Sequence, residues 1–599
     1  MRSILRSRSW LAILTVMICT VVLSVNGLWI GKNGDGWKDT IRSDAKGYYS
    51  YLTAAFLRND LGNEPFAYEY VQRTPNGTLN KYFCGTAIAM APWFAVGHGL
   101  ALLDDTAPRD GYSAYEMKAI SIGGWVYYLL GLLALRALFR RLSVRERVIA
   151  WLILGLGFAT PLLQYVAIQP GWSHVYSFCA ISVFLLLVHK LACSEGLRWA
   201  LPAAALFGLI ILIRPVNGLV LLAIPIVAGS NTVMLIARLV QRWYVLLLAV
   251  LIILLTVGLQ PVLWHAQTGR WFEWGYRNEG FYWDRPMVYE VLIGIRRGLF
   301  VWSPFLLLAA GSAFLLWRTD RIRSGFTVLY WIVNTYVISC WWIWYYGSGF
   351  ASRVYIDHYP VLLIPAAWLL QRAAPRWWTA ARVFIVACIG LFLFQYWQYR
   401  NDIIHHEHMD AAKYAYTFLK TDDAYRFSLG GRSEEAPYHP NGLELVLTES
   451  TDLERPTRYW TGGHLERMDH AFSKDSVCVF DVHRDYGTSF TAPAGIIPPG
   501  REVYLKVGFM RYEVLAGEAS KALCVTRVSH ADGTQGFYNS FRMEPMTGLT
   551  DSTWKAIDLR IPVPEMQEGD ALHFYLWNQN GEGRFQIDDL MMRVYAVRP

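Results

Sequence analysis

Asp44 stands in the run Ser43-Asp44-Ala45-Lys46-Gly47-Tyr48-Tyr49, just after the first apolar stretch of the chain. A carboxylate in that place can act as a general base, taking the proton of an acceptor hydroxyl as it attacks. Tyr48, four residues on, shares its face if the segment is helical. Asp35 and Asp39 are nearby alternatives. The competing structural reading is a helix N-cap, because Ser43-Asp44 precedes a helical pattern running to Leu57, and spacing alone favours that reading. Arg353 follows the small-residue run Gly347-Ser348-Gly349-Phe350-Ala351-Ser352 and precedes Asp357-His358-Tyr359-Pro360. Its planar donors and fixed charge suit a phosphate, against the alternative of an arginine snorkelling to lipid headgroups. Lys81-Tyr82, His98, Trp172-Ser173-His174, Ile213-Arg214-Pro215 and Arg296-Arg297-Gly298 lie near the ends of other apolar runs. Singly each reads as an interfacial anchor; together they make a basic, aromatic rim that would attract an anionic headgroup. His405, His406, Glu407 and His408 do not share one helix face, so no metal site is assigned to them.

The elements that position these residues are membrane spans. The chain has 599 residues, 54% hydrophobic and only 17% charged, with a mean hydropathy of +0.24. That composition excludes an ordinary soluble domain and points to a polytopic α-helical membrane protein. The 26 Trp and 35 Tyr suit a chain with many membrane–water interfaces. The net charge of +8 is no argument for nucleic acid, because the Lys and Arg sit in short clusters between apolar runs. Apolar runs at 10–30, 117–139, 148–168, 174–191, 199–213, 216–230, 243–264, 299–317, 325–345, 358–371 and 379–398 predict about eleven spans. The first is read as an uncleaved anchor. The clusters Arg140/Arg141/Arg145/Arg147, Lys190/Arg198, Arg238/Arg242, Arg318/Arg321/Arg323 and Arg372/Arg376/Arg382 then share the side of the N-terminus, which the positive-inside rule makes cytoplasmic. The run 83–103 is expected to lie at the outer face, juxtamembrane or re-entrant, because a further span there would invert every later loop. The outer segments are 31–116, 169–174, 265–298 and 346–357.

Beyond Tyr399 the hydropathy drops. Residues 410–424 read as a short amphipathic helix inside a linker at 401–426. From about 427 to 599, short strands separated by Gly, Pro, Asn and Asp turns predict an all-β sandwich or jelly roll. Cys478 and Cys524 fall in these strands, where a disulfide is left open. There is no sequence repeat and no low-complexity tract.

This pattern resembles the GT-C superfamily, the integral-membrane glycosyltransferases that use polyprenyl-phosphate-linked sugars. Protein O-mannosyltransferases and bacterial aminoarabinose transferases of lipid A belong to it. The resemblance covers roughly residues 10–400, taken as the catalytic domain 1–400 with its first outer loop at 31–116. Ser43-Asp44-x-x-x-Tyr48 resembles the family's first-loop acidic motif. Arg296-Arg297-Gly298-Leu299-Phe300-x-x-Ser303-Pro304 and Gly349-x-x-x-Arg353-x-x-x-Asp357-x-x-Pro360 resemble segments of bacterial members. Ala45 follows Asp44 where many members carry a second acidic residue. The C-terminal part resembles carbohydrate-binding jelly rolls in its strand pattern.

The resemblance implies an inverting transfer at the extracytoplasmic face. Asp44 is the base, and Arg353 with Lys81 or Arg297 holds the donor phosphate. Tyr48, Tyr82, His98, His174, Arg214 and Asp357 are substrate-site candidates. The donor is a polyprenyl-phosphate sugar; the acceptor is a glycan, a lipid or a protein. No redox or organic cofactor is implied, no metal ligand is assigned, and a divalent ion is left open. The expected location is the bacterial inner membrane, multi-pass, with the N-terminus cytoplasmic and the β-domain outside. Asn76-Gly77-Thr78 is a glycosylation sequon on the outer loop, so a eukaryotic secretory membrane is the alternative. A transporter or flippase of a lipid-linked saccharide is the second functional class, and a glycan receptor anchored by its spans the third.

Overall fold

The computed structural model describes residues 7–31, 34–62, 64, 70–193, 197–276, 279–407, 409–422, 425–426, 442–455, 457–493, 495–514, 522–542, 553–578 and 584–598. The chain divides into two compact units, one of 1–346 with 350–393 and the other of 347–349 with 394–599.

The first unit is helical. It opens with α1 (Arg8–Ser24), α2 (Asp44–Thr53), a hairpin of β1 (Val71–Thr74) and β2 (Gly77–Asn80), then α3 (Gly85–Leu102), α4 (Ala114–Arg141), α5 (Glu146–Phe158), α6 (Leu162–Ala167), α7 (Ser173–Cys193) and α8 (Ala200–Ile213). Among the described residues six helices are long and apolar enough to cross a membrane: Arg8–Ile30, Gly85–Leu102, Ala114–Arg141, Ser173–Cys193, Trp243–Thr268 and Pro375–Arg400. A seventh is counted if Pro215–Ala228 and Asn231–Gln241, bent by 116°, form one broken span. The sequence reading expects about eleven. The difference lies in apolar runs that are not single long helices. The run 148–168 is divided between α5 and α6, 299–317 breaks at Ser303-Pro304, and 200–213 is a helix of 14 residues. A helix of 14 residues is only about 21 Å long, short of the hydrocarbon thickness. Trp243–Val257 has no buried residue, and Leu247, Leu251, Leu254 and Leu255 are exposed along it. Such an unbroken apolar surface belongs in lipid rather than water.

The run 83–103, expected at the outer face, is a continuous helix that meets the length of a span. Its neighbours fix its height. The Tyr127 hydroxyl of α4 donates to the Ala89 carbonyl, and a side chain at Gly97 would collide with the Glu116 backbone. The α3 helix therefore pairs with the first half of α4 alone. The far end of α4 is held elsewhere, where Arg136 bonds Ser9 of α1 at 2.6 Å and Glu146 of α5 at 3.0 Å. Both flanks of α3 return to α2: the Tyr82 hydroxyl reaches Asp44, and the Gly111 carbonyl accepts from Tyr49.

The second unit contains the helix Ala411–Thr417, whose N-terminus is capped by Asp410 accepting from the Lys413 amide at 2.8 Å. It is shorter than the expected 410–424, and 423–424 lie outside the described residues. The strands are β3 (Leu443–Thr451), β4 (Trp460–Thr461), β5 (Leu465–Arg467), β6 (Ser476–Phe480), β7 (Tyr486–Ala492), β8 (Val503–Glu513), β9 (Leu523–Ser529), β10 (Gln535–Arg542), β11 (Trp554–Val563), β12 (Ala571–Trp577) and β13 (Phe585–Val597). One antiparallel sheet runs β10-β9-β12-β7-β4; the other runs β11-β8-β13-β6-β5, with β3 also paired to β13. Strict alternation drives this. On β12, Leu572, Phe574 and Leu576 are fully buried while the residues between them are not. Those side chains share one core with Leu505, Val507 and Val594 of the other sheet. Cys478 and Cys524 are both free thiols buried in that core, so the disulfide left open by the sequence is not formed. The expected strands from 427 onward begin, among the described residues, at Leu443.

Candidate active site in the helical unit

Asp44 is the first residue of α2, and Ser43 before it makes no side-chain cap. Ser43 has φ +52° and ψ −136°, outside the regions an L-residue ordinarily occupies. Such a backbone costs on the order of 1–3 kcal/mol and persists where the surroundings impose it. The Asp44 carboxylate bonds side chains outside its own helix. One oxygen accepts from the Tyr82 hydroxyl at 2.9 Å, the other from Arg353 at 2.8 Å. The N-cap reading is thus not what the side chain does. Arg353 opens a short 3-10 turn, Arg353–His358. The backbone before it carries two more left-handed residues, Tyr346 (φ +57°) and Ala351 (φ +53°). Its second guanidinium nitrogen donates to the Tyr346 carbonyl at 2.5 Å, and its plane lies 4.2 Å from the Trp172 ring. The Asp44 side chain keeps 23% of its exposure and Arg353 13%, enough for a ligand to reach both.

Burial pushes the Asp44 carboxyl up, but the Arg353 guanidinium, the Tyr82 hydroxyl and the Lys81 charge together hold it below the usual carboxylate range. Arg353 moves the opposite way: burial lowers it, and Asp44 outweighs burial and raises it. Tyr48 packs its ring 4.6 Å from that of Tyr82, and burial with the nearby Asp44 charge pushes its hydroxyl up to about 12. It stays a neutral hydroxyl through the physiological range. Lys81 pairs with Glu279 and lies 5.2 Å from the Tyr276 ring.

A second cluster adjoins the first. The His174 Nδ1 lies 2.8 Å from one Asp357 oxygen. Asn217 donates to the other oxygen at 2.9 Å and to Ser177 at 3.0 Å. Arg214 reaches the same carboxylate at 3.6 Å. Burial raises the Asp357 carboxyl, yet His174 and Arg214 outweigh it and hold the group ionised. The charges of Arg214 and Arg353 both act on Tyr48, which joins the two clusters.

No family model matches the chain, and no curated protein matches it. Solved structures do. The archaeal oligosaccharyltransferase AglB from Archaeoglobus fulgidus, in complex with an inhibitory peptide and a dolichol-phosphate, is 13% identical, with a TM-score of 0.34. That match covers 68% of this chain and 54% of the archaeal one. The arabinosyltransferase EmbB from Mycobacterium smegmatis is 12% identical over 97% of this chain and 64% of its own, with a TM-score of 0.32. The CBM22-1 xylan-binding domain of Paenibacillus barcinonensis Xyn10C is 15% identical over 26% of this chain and 97% of its own, with a TM-score of 0.19. This chain thus spans about half of the oligosaccharyltransferase and just under two thirds of the arabinosyltransferase. The functional reading rests on the side chains.

Of the residues singled out in the sequence, Asp44, Tyr48, Lys81, Tyr82, His174, Arg214, Arg353 and Asp357 are brought together in this region. His98 is not. It stacks on Phe94 within α3 and bonds Glu116 of α4 at 2.9 Å. It sits thirteen residues beyond Gly85, about 20 Å along the helix from the Tyr82 end. Arg297 is buried in the turn before Leu299, and its neighbour Arg296 lies 3.3 Å over the Tyr345 ring. His408 lies outside the described residues, and among those described no group of three His, Cys, Asp or Glu side chains is placed to hold a metal. Sequence reasoning missed Asn217 and Glu279. Asn217 is a polar residue in an apolar run directly after Pro215, and Glu279 is a carboxylate in the outer loop 265–298. Each carried a signal, but neither named its partner.

Proposed function

We propose that the chain is a membrane glycosyltransferase. It would move a sugar from a polyprenyl-phosphate donor to an acceptor hydroxyl, with Asp44 as general base. The observation that carries this reading is the direct, partly exposed ion pair of Asp44 and Arg353, 2.8 Å apart. It puts a base for the nucleophile beside a cation for the leaving group, the two demands of displacement at an anomeric carbon. The donor phosphate takes the Arg353 guanidinium, assisted by Lys81. That neutralises the charge holding Asp44 at low pKa, so the carboxylate becomes more basic once the donor is in place. The acceptor hydroxyl then gives its proton to Asp44, and its oxygen bonds the anomeric carbon in line. The carbon–oxygen bond to phosphate breaks, and its electron pair leaves with the polyprenyl phosphate, stabilised by Arg353. In-line attack inverts the anomeric centre. Arg214, Asp357, His174 and Asn217 hold the floor on which the sugar rests.

The site faces the extracytoplasmic side in this reading, and α3 lies on that side without crossing. The return of both its flanks to α2 supports this, as does the positive-inside distribution of the loops. The membrane is the bacterial inner membrane, with the N-terminus cytoplasmic and the β-unit outside.

A transporter of a lipid-linked saccharide is the second reading. One observation favours it: the broken helix pair Pro215–Ala228 and Asn231–Gln241, bent by 116°, whose first segment carries Asn217. Release of radiolabelled sugar from a panel of polyprenyl-phosphate donors, measured for purified wild type beside Asp44→Asn with acceptor extract present, separates the two. Turnover abolished in the variant supports the transferase. Folded wild type that turns over no donor refutes it and leaves the transporter.

A further inference from the structure

We propose that the outer face of the β10-β9-β12-β7-β4 sheet is a binding site for a neutral oligosaccharide. The proposal stands on the β-unit's own side chains and does not depend on the reading of Asp44.

The alternation that buries Leu572, Phe574 and Leu576 turns His573, Tyr575 and Trp577 of β12 to the opposite face. Register brings their neighbours to that face. Trp577 pairs with Tyr486 of β7, His573 with Thr491 of β7 and Arg527 of β9, and Arg527 in turn with Tyr538 of β10. The Tyr486 and Trp577 rings lie 6.0 Å apart and 4° from parallel, and Tyr575 is 6.2 Å from Tyr486. Tyr575 reaches Tyr538 across β9, close enough for their hydroxyls to interact. Val525 lies beneath them at zero exposure although it is on this outer face. Tyr486 and Tyr538 remain 54% and 42% exposed. Large aromatic rings held in register in water are costly unless something covers them.

Polar groups interleave with the rings. Thr491 and His573 bond each other at 3.3 Å. The Arg527 Nε is buried with no hydrogen-bond partner among the described residues, a donor whose desolvation is so far uncompensated. Flat rings flanked by hydroxyl, imidazole and guanidinium donors match the two aspects of a pyranose: an apolar C–H face and a rim of hydroxyls. From β7 to β10 the face is three strand spacings wide, about 14 Å, the reach of a short oligosaccharide. A protein partner would be met by a contiguous apolar patch. A nucleic-acid strand would need a track of cations along its backbone. Among the described side chains of this face, Arg527 and the half-buried His573 do not make such a track.

The test uses the full-length protein in detergent and isothermal titration with four linear hexasaccharides: β-1,4-linked glucose, xylose and N-acetylglucosamine, and α-1,6-linked mannose. Saturable binding of at least one is expected, weakened about tenfold or more by Trp577→Ala and by Tyr486→Ala. Arg527→Gln, which keeps the size of the side chain, is expected to weaken it less. Leu445→Ala, on the exposed side of the other sheet, is expected to leave it unchanged. Near-ultraviolet circular dichroism checks that each variant is folded. Absence of binding by folded wild type to all four sugars overturns the proposal. So does binding that Tyr486→Ala and Trp577→Ala leave intact.

Discussion

At the scale of single residues, the chemistry turns on what Arg353 does to Asp44. Asp44→Asn keeps the shape and removes the proposed base. Its turnover should fall by roughly 10²–10⁴, the usual span for a general base, while affinity for the donor phosphate persists. Steady-state kinetics beside donor binding would show the split. The pH dependence has a definite sign. The carboxyl sits below its ordinary value of 3.8 because Arg353 opposes burial, so in wild type the acid limb of kcat/KM lies below about pH 4. Arg353→Gln removes the largest opposition to burial and leaves only the Tyr82 hydroxyl and the Lys81 charge against it. The Asp44 pKa then rises and the acid limb moves to higher pH. A pH–rate profile of this variant with unmoved acid limb would show that the pair seen here does not govern the base. Tyr82→Phe removes one hydrogen bond to the carboxylate and should cost only about threefold to tenfold.

At the scale of elements, α3 and α4 form a hairpin whose closeness depends on Gly97. A Cβ there would meet the Glu116 backbone, so a bulky residue must push the helices apart. Gly97→Leu should lower stability by about 1–3 kcal/mol, read as a drop in Tm. His98→Ala breaks the bond to Glu116, whose side chain is otherwise buried and also bonded to Ser113. A loss of similar size is expected, about 1–3 kcal/mol, with turnover per folded molecule preserved. That outcome would mark His98 as a tie between helices. A change in donor KM instead would return it to the site.

At the scale of the whole molecule, cysteine labelling reads the side of the membrane on which each loop lies. In a background with the eight native cysteines replaced, Asp105→Cys lies in the α3–α4 loop and Arg145→Cys before α5. A membrane-impermeant maleimide applied to intact spheroplasts should label the first and reach the second only after permeabilisation. With the N-terminus inside, the reverse pattern would mean that α3 crosses, leaving Asp44 outside and the α3–α4 loop in the cytoplasm. Parity makes this decisive, because one added crossing inverts every later loop.

The sequence by itself determined the membrane class, the clustering of basic residues between apolar runs and the strand-rich C-terminal part. These follow from composition, local charge and the two-residue alternation, which act within a few residues of one another. It also drew attention to Asp44, Tyr48, Lys81, Tyr82 and Arg353, because charged and aromatic residues in short polar segments stand out between apolar runs. It could not pair them. Asp44 and Arg353 are 309 residues apart, and no spacing rule reaches that far. The same holds for the Asp357 carboxylate, whose Asn217 partner is 140 residues away. Only the tertiary structure showed that the Asp44 carboxylate bonds Tyr82 and Arg353 rather than capping its own helix, because both partners come from distant segments. It also separated His98 from the others, since residues at equal heights in the sequence pattern lie at opposite ends of α3. The aromatic face of the β-unit is likewise a product of register: rings from β7, β10 and β12 become neighbours only once the strands are paired.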